Sequence, residues 1–155
     1  MERSKGATTR RTHREQLVVR EDVIDTNGHV NNVTYVQWMQ DVAVSHFASI
    51  GGIDLMESSG GTWVARSHRI EYLKPAFAGD RIEIRTWIET VGRVRSTRRY
   101  EFVDTRDDVL LARGETDWVF VDAETGRPAA IPESIRAAFA ATKEDPSAAS
   151  GSDRR

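Results

Sequence analysis

Asp25, Asn27, His29 and Asn32 bring four side chains that can ionise or hydrogen-bond into eight consecutive positions, with Gly28 among them to let the backbone turn tightly. The chain then changes character. From Val33 to Ile50 there is no Gly or Pro, and apolar residues recur at Val33, Val36, Met39, Val42, Ala43, Phe47 and Ile50. Spacings of mainly three and four predict a helix, with Asn31 or Asn32 as its N-cap and Gly51-Gly52 as its stop. A helix start presents unpaired N–H groups and the positive end of the dipole, which suits a carbonyl oxygen acquiring negative charge. Asp25 adds a carboxylate beside it, able to act as general base on a water or as a nucleophile itself. Acyl transfer needs that pair of functions.

Other chemistry fits these residues less well. Asp25-x-Asn27-x-His29 opens like a calcium loop, but the sixth position is Val30 instead of Gly and the twelfth is Val36 instead of Glu. Asn27 and Asn31 also have a purely local use as turn formers, and His29 as a partner of Asp25. Asp41, farther along the helix, offers a second carboxylate or simply a surface acid. His46 and His68 suit packing or surface positions, and Ser58 and Ser59 lack the G-x-S-x-G elbow of a serine nucleophile. The absence of cysteine excludes disulfides, thiolate catalysis and Cys-ligated zinc. No metal or cofactor is expected.

The elements that must hold this turn are legible from patterning. Gln16 to Glu21 reads as a strand leading into Asp25. Gly51 to Gly61 reads as a glycine-rich connection. Trp63 to Leu73, Asp80 to Glu89, Arg93 to Val103 and Leu110 to Val121 read as strands, and Pro132 to Thr142 as a short helix. The short separations between strands predict antiparallel meander connections. The fold class is therefore α+β: an antiparallel sheet of about five strands curved around one long helix, which needs cover on several sides. At 155 residues the chain suits one domain, over residues 15–142, with polar tails at 1–14 and 143–155 expected to be disordered.

With 22 basic and 24 acidic residues the net charge is -2, so no overall field argues for nucleic acid or an anionic membrane. No apolar run has the length of a membrane span and no signal-peptide core is present, so a cytoplasmic protein is expected.

Asp-x-x-Gly-His-Val-Asn-Asn-x-x-Tyr, from Asp25 to Tyr35, resembles the active-site segment of hotdog-fold thioesterases of the 4-hydroxybenzoyl-CoA thioesterase-like superfamily. Extended to Trp38, it is also similar to that of plant acyl-acyl-carrier-protein thioesterases. Ile70 to Asp80 and Thr125 to Pro128 look like further segments usual in the superfamily. The resemblance implies a hotdog fold and hydrolysis of an acyl-CoA or acyl-acyl-carrier-protein thioester. It implies Asp25 as the catalytic carboxylate and the backbone N–H of Asn32 as the group polarising the carbonyl. From the plant group, Asn27 and His29 join Asp25 in catalysis; Tyr35, within the motif, is expected with Asn32 to bind substrate. The plant proteins join two hotdogs in one chain, whereas this sequence holds one such helix and no internal repeat. An acidic or cysteine element downstream of the motif has no match. A non-catalytic hotdog that binds or senses an acyl thioester is the alternative; a base beside an oxyanion site argues against it. A hydratase of this fold would need His where Val30 stands.

Two expectations concern surfaces. A five-stranded sheet has two edges, so a second copy should extend it, giving a homodimer or homotetramer. Arg93, Arg95 and Arg99 share one strand face. They either pair with acids such as Glu83, Glu89 and Glu101, or Arg95 and Arg99 bind the phosphates of coenzyme A or phosphopantetheine.

Overall fold

The computed structural model describes residues 12–141, so the expectations for residues 1–11 and 142–155 lie outside the described residues. Five strands, β1 (His13–Val18), β2 (Gly61–Tyr72), β3 (Arg81–Val91), β4 (Arg95–Asp104) and β5 (Val109–Asp122), form one curved antiparallel sheet in the order β1-β3-β4-β5-β2. Three helices accompany it: α1 (Asn32–Ser49), α2 (Gly52–Ser59) and α3 (Glu133–Ala141). The last four strands begin and end within two residues of the positions that their alternation predicts. None of the helices is long and apolar enough to cross a membrane, among the described residues.

Three sequence expectations need correction. The first strand starts earlier, at His13, because His13 to Val18 pair with Thr86 to Arg81 of β3; Glu21–Val23 forms a 3-10 turn instead of extending the strand. The glycine-rich connection contains α2, an eight-residue helix whose flanking Gly51 and Gly60 both have φ of 79°. Those glycines punctuate a helix instead of marking a loop. The meander holds only for β3-β4-β5. β2 crosses to the far edge and pairs with β5, from Gly61 opposite Asp122 to Tyr72 opposite Ala112.

α1 turns Tyr35, Met39, Val42, Ala43, His46 and Phe47 inward and leaves Val33 and Val44 exposed. On β4 the buried parity is Ser96, Arg98, Tyr100 and Phe102, while Arg95 and Arg99 face the other way. The helix approaches the sheet closely at Gly114, where a Cβ would lie 3.1 Å from the Met39 sulfur. Around the first half of α1 the core contains Tyr35, Met39, Ile82, Ile84, Tyr100 and Phe102; a second cluster joins Phe47 to Phe120, Ile131 and Ile135 and anchors α3.

Gly61 opens β2 against this second cluster. A Cβ there would overlap the buried Phe120 ring and lie 2.9 Å from the Val121 carbonyl oxygen. Gly61→Ala should therefore cost about 1 to 3 kcal/mol as an overpacking change. Urea unfolding should show a lower midpoint at an unchanged slope; an unchanged midpoint would mean that the strand start yields freely.

Candidate active site

The polar stretch before α1 closes on itself. The Asp25 N–H donates to the His29 carbonyl at 2.9 Å and the Gly28 N–H donates to the Asp25 carbonyl at 3.0 Å, so Asp25 and His29 face each other across a tight turn. Gly28 takes a φ of 88° at its tip, a conformation that side chains disfavour. An isolated bridge between Ile24 and Val30 flanks the turn. The Asp25 side chain works within it: Oδ1 accepts the Asn27 N–H at 2.8 Å. Among the described residues no hydrogen bond reaches the other carboxylate oxygen, Oδ2. Asp25 and His29 are half-buried and Asn27 is exposed. The His29 ring stands edge-on to Phe77, at 5.8 Å between centroids, and no hydrogen bond joins it to Asp25.

Distant segments hold the turn in place. The Val30 N–H donates to the Ala76 carbonyl at 2.9 Å and the Asn31 N–H to the Val23 carbonyl at 2.8 Å. Ala76 belongs to the connection between β2 and β3, itself fastened to the end of β1 by Val19 N–H to Asp80 carbonyl and Gly79 N–H to Val19 carbonyl bonds.

α1 then begins. Asn31 is the N-cap, its Oδ1 accepting the Val33 N–H at 2.9 Å. The Tyr72 hydroxyl, from the end of β2, donates to the Asn32 carbonyl at 3.0 Å. The Asn32 N–H has no acceptor among the described residues, and Asn32 is exposed. The helix start thus offers a donor along its axis, seven residues after a half-buried carboxylate in the same turn segment. Tyr35, one turn further, is a core residue at 3% exposure, with its ring edge-on to Trp38, Tyr72 and Phe102. Burial, with Tyr72 and Asp80 nearby, pushes its hydroxyl up to about 12, so it stays protonated.

The other candidates lie elsewhere. Arg95 and Arg99 project from the face of β4 opposite α1. Arg95 pairs with Asp117, and Arg99 with Glu115 at 3.4 Å and Glu89 at 3.8 Å. Asp41 is exposed on α1, accepting from Gln37 at 2.8 Å. His68 lies 2.9 Å from the Thr116 hydroxyl.

Sequence reasoning missed two features. Tyr72 reaches the helix start across 40 residues of chain, which no local pattern announces. Arg98 is 3% exposed beneath α1, bonded to His46 and Thr86. Its signal was present in the parity of β4, where it shares a face with Tyr100 and Phe102 instead of with Arg95 and Arg99.

Comparison with known proteins gives a consistent family. Residues 18–139 match the Thioesterase-like superfamily. The chain is 25% identical over 132 residues to oleoyl-acyl carrier protein thioesterase 1, chloroplastic, of Arabidopsis thaliana, an alignment covering 81% of this chain and 36% of that protein. It is 31% identical over 128 residues to an L-carnitine dehydrogenase/betainyl-CoA thioesterase of Ruegeria pomeroyi, covering 79% of this chain and 25% of that one. The chain therefore spans about a third or less of the length of these curated relatives. A solved 1,4-dihydroxy-2-naphthoyl-CoA thioesterase from Synechocystis shares the fold, with a TM-score of 0.75 at 22% identity over 83% of this chain and 95% of that one.

Proposed function

Since the chain belongs to the Thioesterase-like superfamily, we propose that it hydrolyses an acyl thioester, carried by coenzyme A or by an acyl carrier protein, at the turn that opens α1. What supports this reading is that one short turn carries both a half-buried Asp25, whose Oδ2 has no hydrogen-bond partner among the described residues, and a helix start whose Asn32 N–H has none among them either. The Asn27 N–H fixes Asp25 through Oδ1 and leaves Oδ2 to take a proton from water. The water oxygen attacks the thioester carbonyl carbon, and the Asn32 N–H holds the oxyanion, helped by the α1 dipole. Collapse breaks the carbon–sulfur bond, and the proton on Asp25 passes to the leaving thiolate. Free acid and thiol result, with Asp25 restored. Asn27 and His29 orient Asp25 or the carbonyl at the rim of the turn. Tyr35 supports the helix start from below, taking α1 as the central helix of a hotdog.

A phosphate clamp made of Arg95 and Arg99 would have to displace Asp117 and Glu115, and in one chain it stands on the sheet face away from α1. The hydrolytic reading does not depend on it.

Asp25→Asn tests the reading directly. Asn retains the acceptor that Asn27 uses, so the turn survives, but it cannot take a proton from water. Turnover should fall by about 10² to 10⁴, with the thermal midpoint nearly unchanged. Wild-type turnover in that variant would move the catalytic role away from Asp25.

The same reading includes a homo-oligomer. β2 is a 12-residue edge strand, mostly exposed, with Val64 and Tyr72 each 45% exposed along it. A long open edge of this kind calls for cover, and a second copy of the strand supplies it by continuing the sheet. Sedimentation at micromolar concentration should give at least twice the 17.4 kDa chain mass; a fully active 17.4 kDa species would contradict it.

A further inference from the structure

Behind the second half of α1 lies a cavity of about 150 Å³, walled by Phe47, Met56, Trp63, Trp118 and Phe139 and opening past the exposed Gln40 and Val44. Arg98 is the charged residue of its lining, beside Ser96 and Thr62. The guanidinium donates through Nη1 to His46 Nδ1 at 2.9 Å and to the Thr86 hydroxyl at 3.0 Å. Among the described residues no bond reaches Nε or Nη2, and no carboxylate lies within ion-pair distance. The acid in this chain of contacts is Glu15, two imidazoles removed: His46 stacks on His13 at 4.8 Å, and His13 Nε2 meets Glu15 at 2.8 Å. His46 cannot supply a negative charge and, by accepting at Nδ1, carries its proton on Nε2. Burial lowers the Arg98 guanidinium to about 10 and the His46 imidazole to about 3, so at neutral pH the first is charged and the second is not.

A buried cation with no counterion is costly, and an anion that brings its own apolar body relieves that cost while filling the cavity. A guanidinium's parallel N–H groups match a carboxylate in two-pronged fashion. The space suits a body the size of one benzene ring, since an apolar cavity of about 150 Å³ accepts benzene. We infer that this cavity is a binding site for a small apolar carboxylate, held by Arg98 through its unengaged N–H groups. Such a carboxylate has two sources: a free carboxylic acid, or the distal end of an acyl group that carries a second carboxyl. The cavity mouth at Gln40 is eight residues along α1 from Asn32, about 12 Å. A short acyl group held at that helix start therefore does not fill it within one chain.

Calorimetric titration of the full-length protein with benzoate and with benzyl alcohol separates charge recognition from apolar filling. Benzoate should bind at least about tenfold more tightly, the range of a charge-assisted hydrogen bond. Arg98→Met should remove that preference, and Arg98→Lys should keep part of it. Equal affinities for the two ligands in the wild type would overturn the inference without any variant, as would an undiminished preference in a folded Arg98→Met protein. A second arm identifies the source and rests on the thioesterase reading: hydrolysis of acyl-CoAs whose acyl end is a carboxylate against the matching methyl esters. A carboxylate preference in kcat/KM that Arg98→Lys weakens assigns the site to substrate; hydrolysis of both with no preference, alongside benzoate binding, assigns it to a free acid. Absence of hydrolysis on either would count against the thioesterase reading alone, since the titration stands without it.

Discussion

The hydrogen bond from the Val30 N–H to the buried Ala76 carbonyl fastens the residues before α1 to the connection between β2 and β3. With the Asn31 N–H on Val23 and the Tyr72 hydroxyl on Asn32, it decides where the helix begins and which way its first N–H groups point. The Asp25 backbone is tied to the same turn by its bond to His29, and its side chain by the Asn27 N–H on Oδ1. Each anchor is a backbone group or the hydroxyl of Tyr72, whose ring stands edge-on to the buried Tyr35. Catalysis by positioned groups depends on such restraint, because the donors must already stand where charge develops.

The same construction explains why the inner face of the sheet matters. α1 must lie close to β4 and β5 for its start to meet Tyr72, and Gly114 beneath Met39 permits the approach. The first half of the interface is apolar and aromatic. Farther along, the sheet presents Arg98, Thr86 and Ser96 to His46 and the cavity beyond it, all of them buried. Polar groups at such depth demand partners. Thr86 finds one in the Arg99 carbonyl and Ser96 in the Thr90 carbonyl, whereas Arg98 shares one nitrogen between His46 and Thr86. The two halves of the helix therefore face different chemistry.

Much of this was legible in the sequence, for physical reasons. Alternation located β2 to β5 because each shows one face to the helix, and the three- and four-residue spacing located α1 with its cap at Asn31 or Asn32, of which the structure selects Asn31. What local patterning cannot encode is pairing across the chain: the position of β2 at the sheet edge, the bond from Tyr72 to Asn32, and the extension of β1 back to His13, which forms because Thr86 offers it a partner. α2 was hidden by the glycines on either side of it. The arginines of β4 divide by parity as period two requires, but only the fold reveals that Arg95 and Arg99 meet acids while Arg98 meets none among the described residues. The stretch from Asp25 to Asn32 is contiguous in sequence, so the tight turn at Gly28 was readable; the relation of His29 to Phe77 instead of to the Asp25 carboxylate was not.

The central claim is that the turn before α1 converts an acyl thioester into acid and thiol. Thiol release by the wild-type protein, followed across a panel of aliphatic and aromatic acyl-CoAs and acyl carrier protein thioesters at neutral pH, tests it most directly. The account predicts catalytic turnover on at least one member, with one free thiol appearing for each acid formed. Tight binding of these thioesters with no thiol released from any of them would contradict it and leave the site as a binder.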